Sequence, residues 1–106
     1  MKRAEVWWVN FDPSMGGKIR KQRPAVIVSN DAANRFLNHV QVVPLTGSTG
    51  KLYPREAYVT FRGKQSKAMA DQLTTVSKKR LPNKAGLLSS TVMEAEARAI
   101  ATQLDI

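Results

Sequence analysis

The sequence predicts one mainly-β domain in which short antiparallel strands form a compact barrel and a single helix ends the chain. Three observations support this fold class: short runs rich in Val, Ile, Trp and Phe, closely spaced turn residues between the runs, and an apolar stripe at helical spacing near the C-terminus. The chain has 106 residues, 42% of them hydrophobic, which suits a modest core but not two domains. We therefore expect residues 1–106 to fold as one domain.

Five runs have the composition of β-strands. The first two end at Asp-Pro and Asn-Asp turn signals, and the later runs are separated by turns that contain glycine or lysine. The runs are Ala4 to Phe11, Pro24 to Asn30, Val40 to Leu45, Ala57 to Phe61, and Ala68 to Val76.

Two features within these runs predict local structure. Pro44 has no backbone N–H, so we expect the third strand to lie at an edge, a bend or a bulge there. Trp7 and Trp8 are adjacent in the first strand and must point to opposite faces, so we expect each to pack in the core or at an interface.

A C-terminal helix is predicted by a cap signal and an apolar stripe. Thr91 and Glu94 stand at the spacing of a capping box. Apolar side chains then recur at i, i+4, i+7 and i+11, at Met93, Ala97, Ile100 and Leu104. We expect this stripe to pack against the barrel, with a second subunit as the alternative.

The charge of the chain favours a polyanionic partner. Seventeen Lys and Arg residues against eight Asp and Glu give a formal net charge of +9, which attracts nucleic acid and favours binding through counterion release. The alternative is that the charge only keeps a small protein in solution. The absence of cysteine excludes disulfides and thiolate metal sites and is typical of a cytoplasmic protein. Neither a signal peptide nor a membrane-spanning run is predicted.

The loop between the first two strands is rich in glycine and cations. Lys18, Arg20 and Lys21 lie within four residues and follow two adjacent glycines. This composition suits a mobile basic flap. An ordinary solvated loop is the alternative interpretation.

The side-chain inventory limits the chemistry that is available. His39 is the only histidine, so RNA cleavage by a pair of imidazoles, one as base and one as acid, is excluded, and we leave His39 out of the predicted site. The eight carboxylates include no pair at the spacing of a Mg²⁺ nuclease site. We therefore expect neither a metal nor another cofactor.

RNA offers a route that needs no metal, because its own 2′-hydroxyl can attack the adjacent phosphate. An enzyme then has to align the attack and stabilise the negative charge of the phosphorane. Arg23, before Pro24, and Thr46, at the end of the third strand, have suitable side chains for this task. Their spacing alone does not single them out, since each also has an ordinary structural interpretation.

Several short motifs run through the chain in a fixed order: Arg3-Ala4-Glu5-Val6-Trp7, Phe11-Asp12-Pro13 with Gly16, Gln22-Arg23-Pro24 with Ala25 to Asn30, Val42-Val43-Pro44-Leu45-Thr46, Tyr53-Pro54, and Ala70-Asp71-Gln72. A closing amphipathic helix follows them. In this order and spacing the sequence resembles the MazF/PemK family of toxins from bacterial toxin–antitoxin pairs, over nearly the whole chain.

The resemblance implies a fold, an activity and partners. The fold is a small SH3-like antiparallel barrel with a C-terminal helix, usually in a symmetric homodimer. The activity is metal-independent, sequence-specific cleavage of single-stranded RNA to 2′,3′-cyclic phosphate and 5′-hydroxyl ends, which stops translation. The expected protein partner is an acidic, partly disordered MazE-like antitoxin that covers the basic RNA site.

The resemblance also implies roles for individual residues. Arg23 and Thr46 match the family's catalytic residues; we favour phosphorane stabilisation for Arg23, although the family also suggests an acid or base role. Thr46 would hydrogen-bond the scissile phosphate. Asp71 before Gln72 matches an acidic residue that handles the 2′-hydroxyl in some members, and both are predicted to bind substrate, while an anchored turn is the alternative for Asp71.

The sequence differs from some family members at two positions and matches the family in one further segment. Some members have arginine where this chain has Met69 and histidine where it has Gly17, which makes the role of Asp71 less secure than that of Arg23. Lys18, Arg20 and Lys21 match the flap over the RNA groove, so we predict that they contact the RNA backbone.

Two other functions compete with RNA cleavage. Gyrase-directed CcdB-like toxins share the fold but rely on a Trp-Gly-Ile ending, whereas this chain ends Thr102-Gln103-Leu104-Asp105-Ile106. A non-catalytic nucleic-acid-binding barrel would need only the positive charge, and composition alone does not exclude it.

Overall fold

Short strands rich in branched residues, joined by tight turns, account for most of the chain. A computed structural model describes residues 1–11, 22–47, 50–53 and 56–106. In chain order these residues form β1 (Glu5–Asn10), β2 (Gln22–Ile27), α1 (Asp31–Phe36), β3 (His39–Thr46), β4 (Glu56–Phe61), β5 (Lys64–Met69), β6 (Thr74–Ser77), β7 (Asn83–Leu87) and α2 (Ser90–Leu104), with 3₁₀ turns at Ala70–Gln72 and Lys78–Arg80.

The strands form one antiparallel sheet in the order β4-β5-β3-β2-β1-β7, and β6 also pairs with β3. β3 therefore lies at the centre, with β2 along one edge and β5 followed by β6 along the other. The predicted fold class, mainly β with a C-terminal helix, is confirmed. None of the described helices is long and apolar enough to cross a membrane.

Both faces of the central strands are apolar. Alternate residues of β3 point to opposite faces, and they separate into two groups of buried side chains. The helix-side core includes Val6, Val26, Val43, Leu45, Val59 and, from α2, Met93. The second core, on the opposite face, comprises Val9, Ala25, Ile27, Val40, Val42, Val76 and Leu81, with Trp7 and Phe11 packed against it. The sheet is thus fixed from both sides.

Pro44 interrupts the backbone hydrogen bonding along the edge of β3 that faces β5 and β6. The Lys78 N–H donates to the Asn38 carbonyl at 3.0 Å, so even-numbered residues of β3 direct their backbone groups to this edge. Pro44 has no N–H to offer there. β5 pairs with Leu45 and Thr46, β6 pairs with residues 39–42, and the 3₁₀ turn Ala70–Gln72 fills the gap between them. The irregularity expected at Pro44 is present, and the continuous strand predicted for Ala68 to Val76 is wrong.

Besides β5, most of which lies outside the runs predicted as strands, the sequence did not predict two of the elements. α1 is a six-residue helix capped by Asn30, whose Oδ1 accepts from the Ala33 N–H at 2.8 Å. It is too short to show an apolar period, so its Asn-Asp start was interpreted only as a strand end. β7 is the other, and its residues Asn83–Leu87 are mostly polar or small.

α2 forms as predicted, but it begins earlier. Ser89 is the N-cap, and its Oγ accepts from the Val92 N–H at 3.2 Å, so the capping box predicted at Thr91 and Glu94 is wrong by two residues. Of the predicted stripe, Met93 is buried and Ile100 packs against the helix-side core, whereas Ala97 and Leu104 are exposed.

Glu96 is a charged residue on the buried face of α2. It is fully buried, and neither carboxylate oxygen has a hydrogen-bond partner within the described part of the chain. Burial raises the pKa of Glu96 from 4.5 to about 7, against the opposing effect of the Arg3 charge. Near neutral pH the folded protein therefore keeps a proton that the unfolded chain has lost.

This raised pKa predicts the pH dependence of folding. The contribution of Glu96 to the free energy of unfolding should fall as the pH rises from 4.5 to about 7 and stay level outside that window. Glu96→Gln removes the titrating group, so we expect it to be more stable than the parent by about 3 kcal/mol at about pH 8 and equal to it at about pH 4. Urea denaturation at both pH values measures this, and an unchanged difference between them would contradict it.

Candidate active site

The register between β2 and β3 brings Arg23 and Thr46 together. Ala25 lies opposite Pro44 and Val26 opposite Val43. Extending this antiparallel register by two residues places Arg23 opposite Thr46, at the end of the sheet where β2 begins and β3 finishes. Residues opposite each other on neighbouring strands have Cβ atoms about 5 Å apart. The two candidates predicted from the sequence are therefore neighbours in space.

Pro24 determines how this pair is held. The Val28 N–H donates to the Gln41 carbonyl at 2.9 Å, so even-numbered residues of β2 direct their backbone groups to β3. At Pro24 that donor is missing, and the β2–β3 ladder stops before Arg23.

The backbones of Arg23 and Thr46 are instead paired with the strands on their outer sides, β1 and β5. Arg23 is registered with Val9 of β1, and Thr46 is registered with Lys67 of β5. By strand alternation, the extended register gives these two residues the position of a non-hydrogen-bonded pair, the arrangement in which opposing side chains approach most closely.

Both side chains lie on the face of the second core. Ala25 and Ile27, which alternate with Arg23 along β2, pack there, as do Val40 and Val42 of β3. Arg23 and Thr46 continue these two rows at the sheet end, where Arg23 is exposed and Thr46 is half-buried. The apolar face thus ends in a cation beside a hydroxyl.

Asp71 and Gln72 lie on the other side of β3. They belong to the 3₁₀ turn beside Pro44, and both side chains are exposed. The Gln72 Nε2 donates to the Met69 sulfur at 3.6 Å. Pro44 is two strand residues, about 7 Å, from Thr46, so this turn flanks the Thr46 end of β3 from the side opposite Arg23.

Lys18, Arg20 and Lys21 lie outside the described residues. The strands on either side of their loop are described, and Asn10, which ends β1, is opposite Gln22, which begins β2. The chain between them therefore leaves and re-enters the sheet next to Arg23.

Sequence reasoning missed two cations at this end of the sheet. Arg80 is half-buried, and its Nη1 donates to the carbonyl of Asn10 at 3.2 Å, one register position from Arg23. Lys67 is buried opposite Thr46. Arg80 follows two lysines in a stretch typical of a turn, and Lys67 lies in a run without apolar alternation, so no pattern pointed to either.

The structure also gives the positions of His39 and the two tryptophans. His39 begins β3, at the opposite end of the sheet from Thr46. Trp7 packs against the second core, and its indole N–H donates to Glu5 at 3.0 Å, whereas Trp8 lies 5.7 Å from the Arg62 guanidinium. Among residues 1–11, 22–47, 50–53 and 56–106, His, Asp and Glu nowhere gather in a group of three that could hold a metal ion.

Solved structures of the same fold include toxins and endoribonucleases. An endoribonuclease from a mycobacterial species, in complex with its cognate antitoxin, is similar across the whole chain and 96% of that protein, with a TM-score of 0.84 and 25% identity. MazF from Deinococcus radiodurans is similar over the whole chain and 97% of its own length, with a TM-score of 0.82 and 20% identity, which supports the fold.

Sequence comparison identifies the family. The family model of the PemK-like, MazF-like toxins of type II toxin–antitoxin systems matches residues 2–104. Endoribonuclease MazF9 of Mycobacterium tuberculosis is 35% identical over the whole chain and 98% of that relative. The probable endoribonuclease MazF1 of the same organism is 46% identical over 49% of this chain and 61% of its own length. The chain therefore belongs to the PemK-like, MazF-like toxins.

The juxtaposition of Arg23 and Thr46 can be tested without RNA. The chain has no cysteine, so an Arg23→Cys/Thr46→Cys variant carries a single pair of thiols. At the separation of a non-hydrogen-bonded pair we expect a disulfide to form under mild oxidation. Mass spectrometry of unreduced peptides detects it. Arg23→Cys/Tyr58→Cys is the control, because β3 and β5 separate its two sites, and equal cross-linking of both variants would contradict the register.

Proposed function

We propose that this toxin cleaves single-stranded messenger RNA without a metal, with Arg23 and Thr46 as the residues that act on the scissile phosphate. The observation that supports the proposal is the register of β2 and β3, whose extension by two residues beyond Ala25–Pro44 brings an exposed arginine opposite a half-buried threonine. Family membership makes the chain the toxin component of a type II toxin–antitoxin system. The full-length relative at 35% identity is an endoribonuclease, and that is the enzyme class of this chain.

The proposed reaction uses the 2′-hydroxyl of RNA as the nucleophile. Its oxygen bonds to the adjacent phosphorus as the bond to the 5′-oxygen breaks, and the proton released from the 2′-hydroxyl is balanced by one gained at the 5′-oxygen. The products are a 2′,3′-cyclic phosphate and a 5′-hydroxyl. The chemical demand on the protein is alignment of the attack and stabilisation of the added negative charge.

Each residue has a part in that scheme. The Arg23 guanidinium stabilises the charge on the phosphorane, because the delocalised guanidinium of arginine stays cationic in proteins. The Thr46 hydroxyl donates to a phosphate oxygen. Asp71 and Gln72 approach from the other side of β3, where a carboxylate can orient the 2′-hydroxyl and an amide can hold the neighbouring nucleotide.

The positive charge of the chain supports RNA as the substrate. Lys18, Arg20 and Lys21 belong to the loop that enters and leaves the sheet beside Arg23, and we assign them to the RNA backbone. Arg80, at the end of β1, adds a cation to the same end of the sheet. A cationic surface of this kind attracts the phosphates of a single strand through counterion release.

The proposal includes partners and a compartment. A mycobacterial endoribonuclease of the same fold forms a complex with its cognate antitoxin, and we assign an acidic MazE-like antitoxin to this toxin, which acts as a homodimer. Its place of action is the cytoplasm, where messenger RNA is translated.

The direct test is cleavage of a long single-stranded RNA in excess EDTA. We expect cuts at a short motif with cyclic-phosphate ends, and a loss of about 10²–10³ in kcat for Arg23→Ala, the size seen when one preorganised donor is removed from a transition state. Thr46→Val, which keeps the shape of the side chain and removes its hydroxyl, should lose activity in the same direction. Affinity of the Arg23 variant for RNA should stay within a few-fold of the parent. Intact RNA with the parent at every enzyme concentration would instead support a binding barrel or a gyrase-directed toxin.

The basic loop predicts the salt dependence of binding. Neutralising Lys18, Arg20 and Lys21 to glutamine should lower RNA affinity and reduce the slope of log K against log salt by about 2, since each single-strand phosphate contact contributes about 0.7. Fluorescence anisotropy at several salt concentrations measures the slope. The control neutralises two exposed cations away from the Arg23–Thr46 sheet end, Lys2 and Arg35, and should leave the slope close to that of the parent. Equal slopes for the two variants would remove the loop from the binding surface.

A further inference from the structure

A row of residues continues across the sheet from Thr46. Lys67 of β5 lies opposite Thr46, and Tyr58 of β4 lies opposite Lys67. Directly opposed residues project from the same face of a sheet, so these three side chains lie on one face. Two strand spacings of about 4.8 Å place Tyr58 about 10 Å from Thr46. Lys67 and Tyr58 contact residues 50–53, which follow Thr46 along the chain.

Lys67 and Glu56 hold that chain in place. The Lys67 ammonium donates to the carbonyl of Lys51 at 3.1 Å and pairs with the Glu56 carboxylate at 3.3 Å. The same Glu56 oxygen accepts from the backbone N–H of Tyr53 at 3.0 Å. One ion pair thus fixes two main-chain groups of the segment 50–53.

Tyr58 supplies a third attachment. Its hydroxyl donates to the carbonyl of Gly50 at 3.1 Å. Segment 50–53 is therefore fastened to β4 and β5 by three side chains, and the one from β5, Lys67, is the register neighbour of Thr46. We call residues 50–53 the clasped segment.

The burial of the ion pair shows that stability alone does not explain it. The side chains of Lys67 and Glu56 are only 9% and 10% exposed. Removing two charges from water costs about as much as their attraction returns, and well-packed apolar residues often serve equally well. What an apolar pair does not provide is a donor for the Lys51 carbonyl and an acceptor for the Tyr53 N–H. The charges therefore specify the position of the clasped segment.

The clasped segment presents an aromatic ring and a cation. The Lys51 ammonium lies 5.4 Å from the centre of the Tyr53 ring, and both side chains are exposed. Single-stranded nucleic acids bind where a base can stack on an aromatic ring while a cation attracts the backbone. Lys51 and Tyr53 follow Thr46 by five and seven residues, and Tyr53 lies beside Arg98 of α2 at the β4 edge of the sheet.

We propose that the clasped segment forms a nucleobase-binding subsite beside the cleaved phosphate. Tyr53 and Lys51 contact the nucleotide, and Lys67, Glu56 and Tyr58 are positioning residues that act through the segment. The inference rests on the proposed RNA cleavage at Arg23 and Thr46, and it assigns part of the sequence preference of that reaction to residues 50–53.

The subsite is tested with Tyr53→Leu. Loss of one stacked base should raise KM for an RNA carrying the parent's motif by between about 5-fold and 100-fold, with kcat within a few-fold, and should relax the base preference at one position of the mapped cuts. The matched control is Phe36→Leu, which removes an exposed ring from α1 at the opposite end of the sheet and should change neither quantity. A Tyr53→Leu protein that cuts the parent's motif with the parent's KM would overturn the subsite.

The positioning role is tested with the double variant Lys67→Met/Glu56→Met. Replacing both partners should leave the melting temperature near that of the parent, because no buried charge is left unpaired. The clasped segment nevertheless loses two attachments, so KM and base preference should change as in Tyr53→Leu. A double variant with parental stability, KM and motif would overturn the role of the pair.

Affinity for a labelled oligonucleotide, measured for the same variants, separates this inference from the function on which it rests. A parent that binds RNA but never cuts it contradicts the proposed reaction, while weaker binding by Tyr53→Leu still supports the subsite. A parent that cuts RNA while Tyr53→Leu binds and cuts as the parent does contradicts the subsite alone.

Discussion

The antiparallel register between β2 and β3 is the constraint on which the candidate site depends. Three opposed pairs, from Ala25–Pro44 to Ile27–Val42, fix the two strands relative to each other. A shift of one residue would send every side chain of one strand to the other face. Because both faces of these strands are apolar and buried, the packing on each side favours the same alignment.

Two prolines interrupt the backbone hydrogen bonding of β2 and β3 at the end of the sheet where Arg23 and Thr46 lie. Pro24 ends the ladder between β2 and β3, and Pro44 interrupts the opposite edge of β3, where the turn that carries Asp71 and Gln72 enters. Each proline removes a backbone donor next to a residue of the site. The irregular backbone around the site thus has an identifiable chemical origin in two side chains, and the regular strands on either side carry the packing.

Much of the fold could be predicted from local patterns, and much of the site could not. Branched residues and turns identified the first four strands, and the apolar spacing from Met93 onward identified α2. Local patterns did not predict two other elements. The 3₁₀ turn at Ala70–Gln72 depends on Pro44 of another strand, and α1 is too short to show an apolar period. Family resemblance nominated Arg23 and Thr46, which spacing did not single out. The positions of Lys67 and Arg80 were not predicted, because they depend on contacts with Lys51, Glu56 and Asn10. These partners are distant along the chain, so local sequence patterns do not reveal the contacts.

The attachment of Arg23 and Thr46 to their outer neighbours has a consequence for how this protein can change over evolutionary time. Their backbones are registered with Val9 and Lys67, whereas the connections between β1 and β2 and between β3 and β4 lie outside these registered strand pairs. Substitution in either loop can therefore change the surface beside Arg23 and Thr46 without changing the strand pairs that hold these two residues. Related toxins built on this sheet can keep one strand framework while their loops diverge.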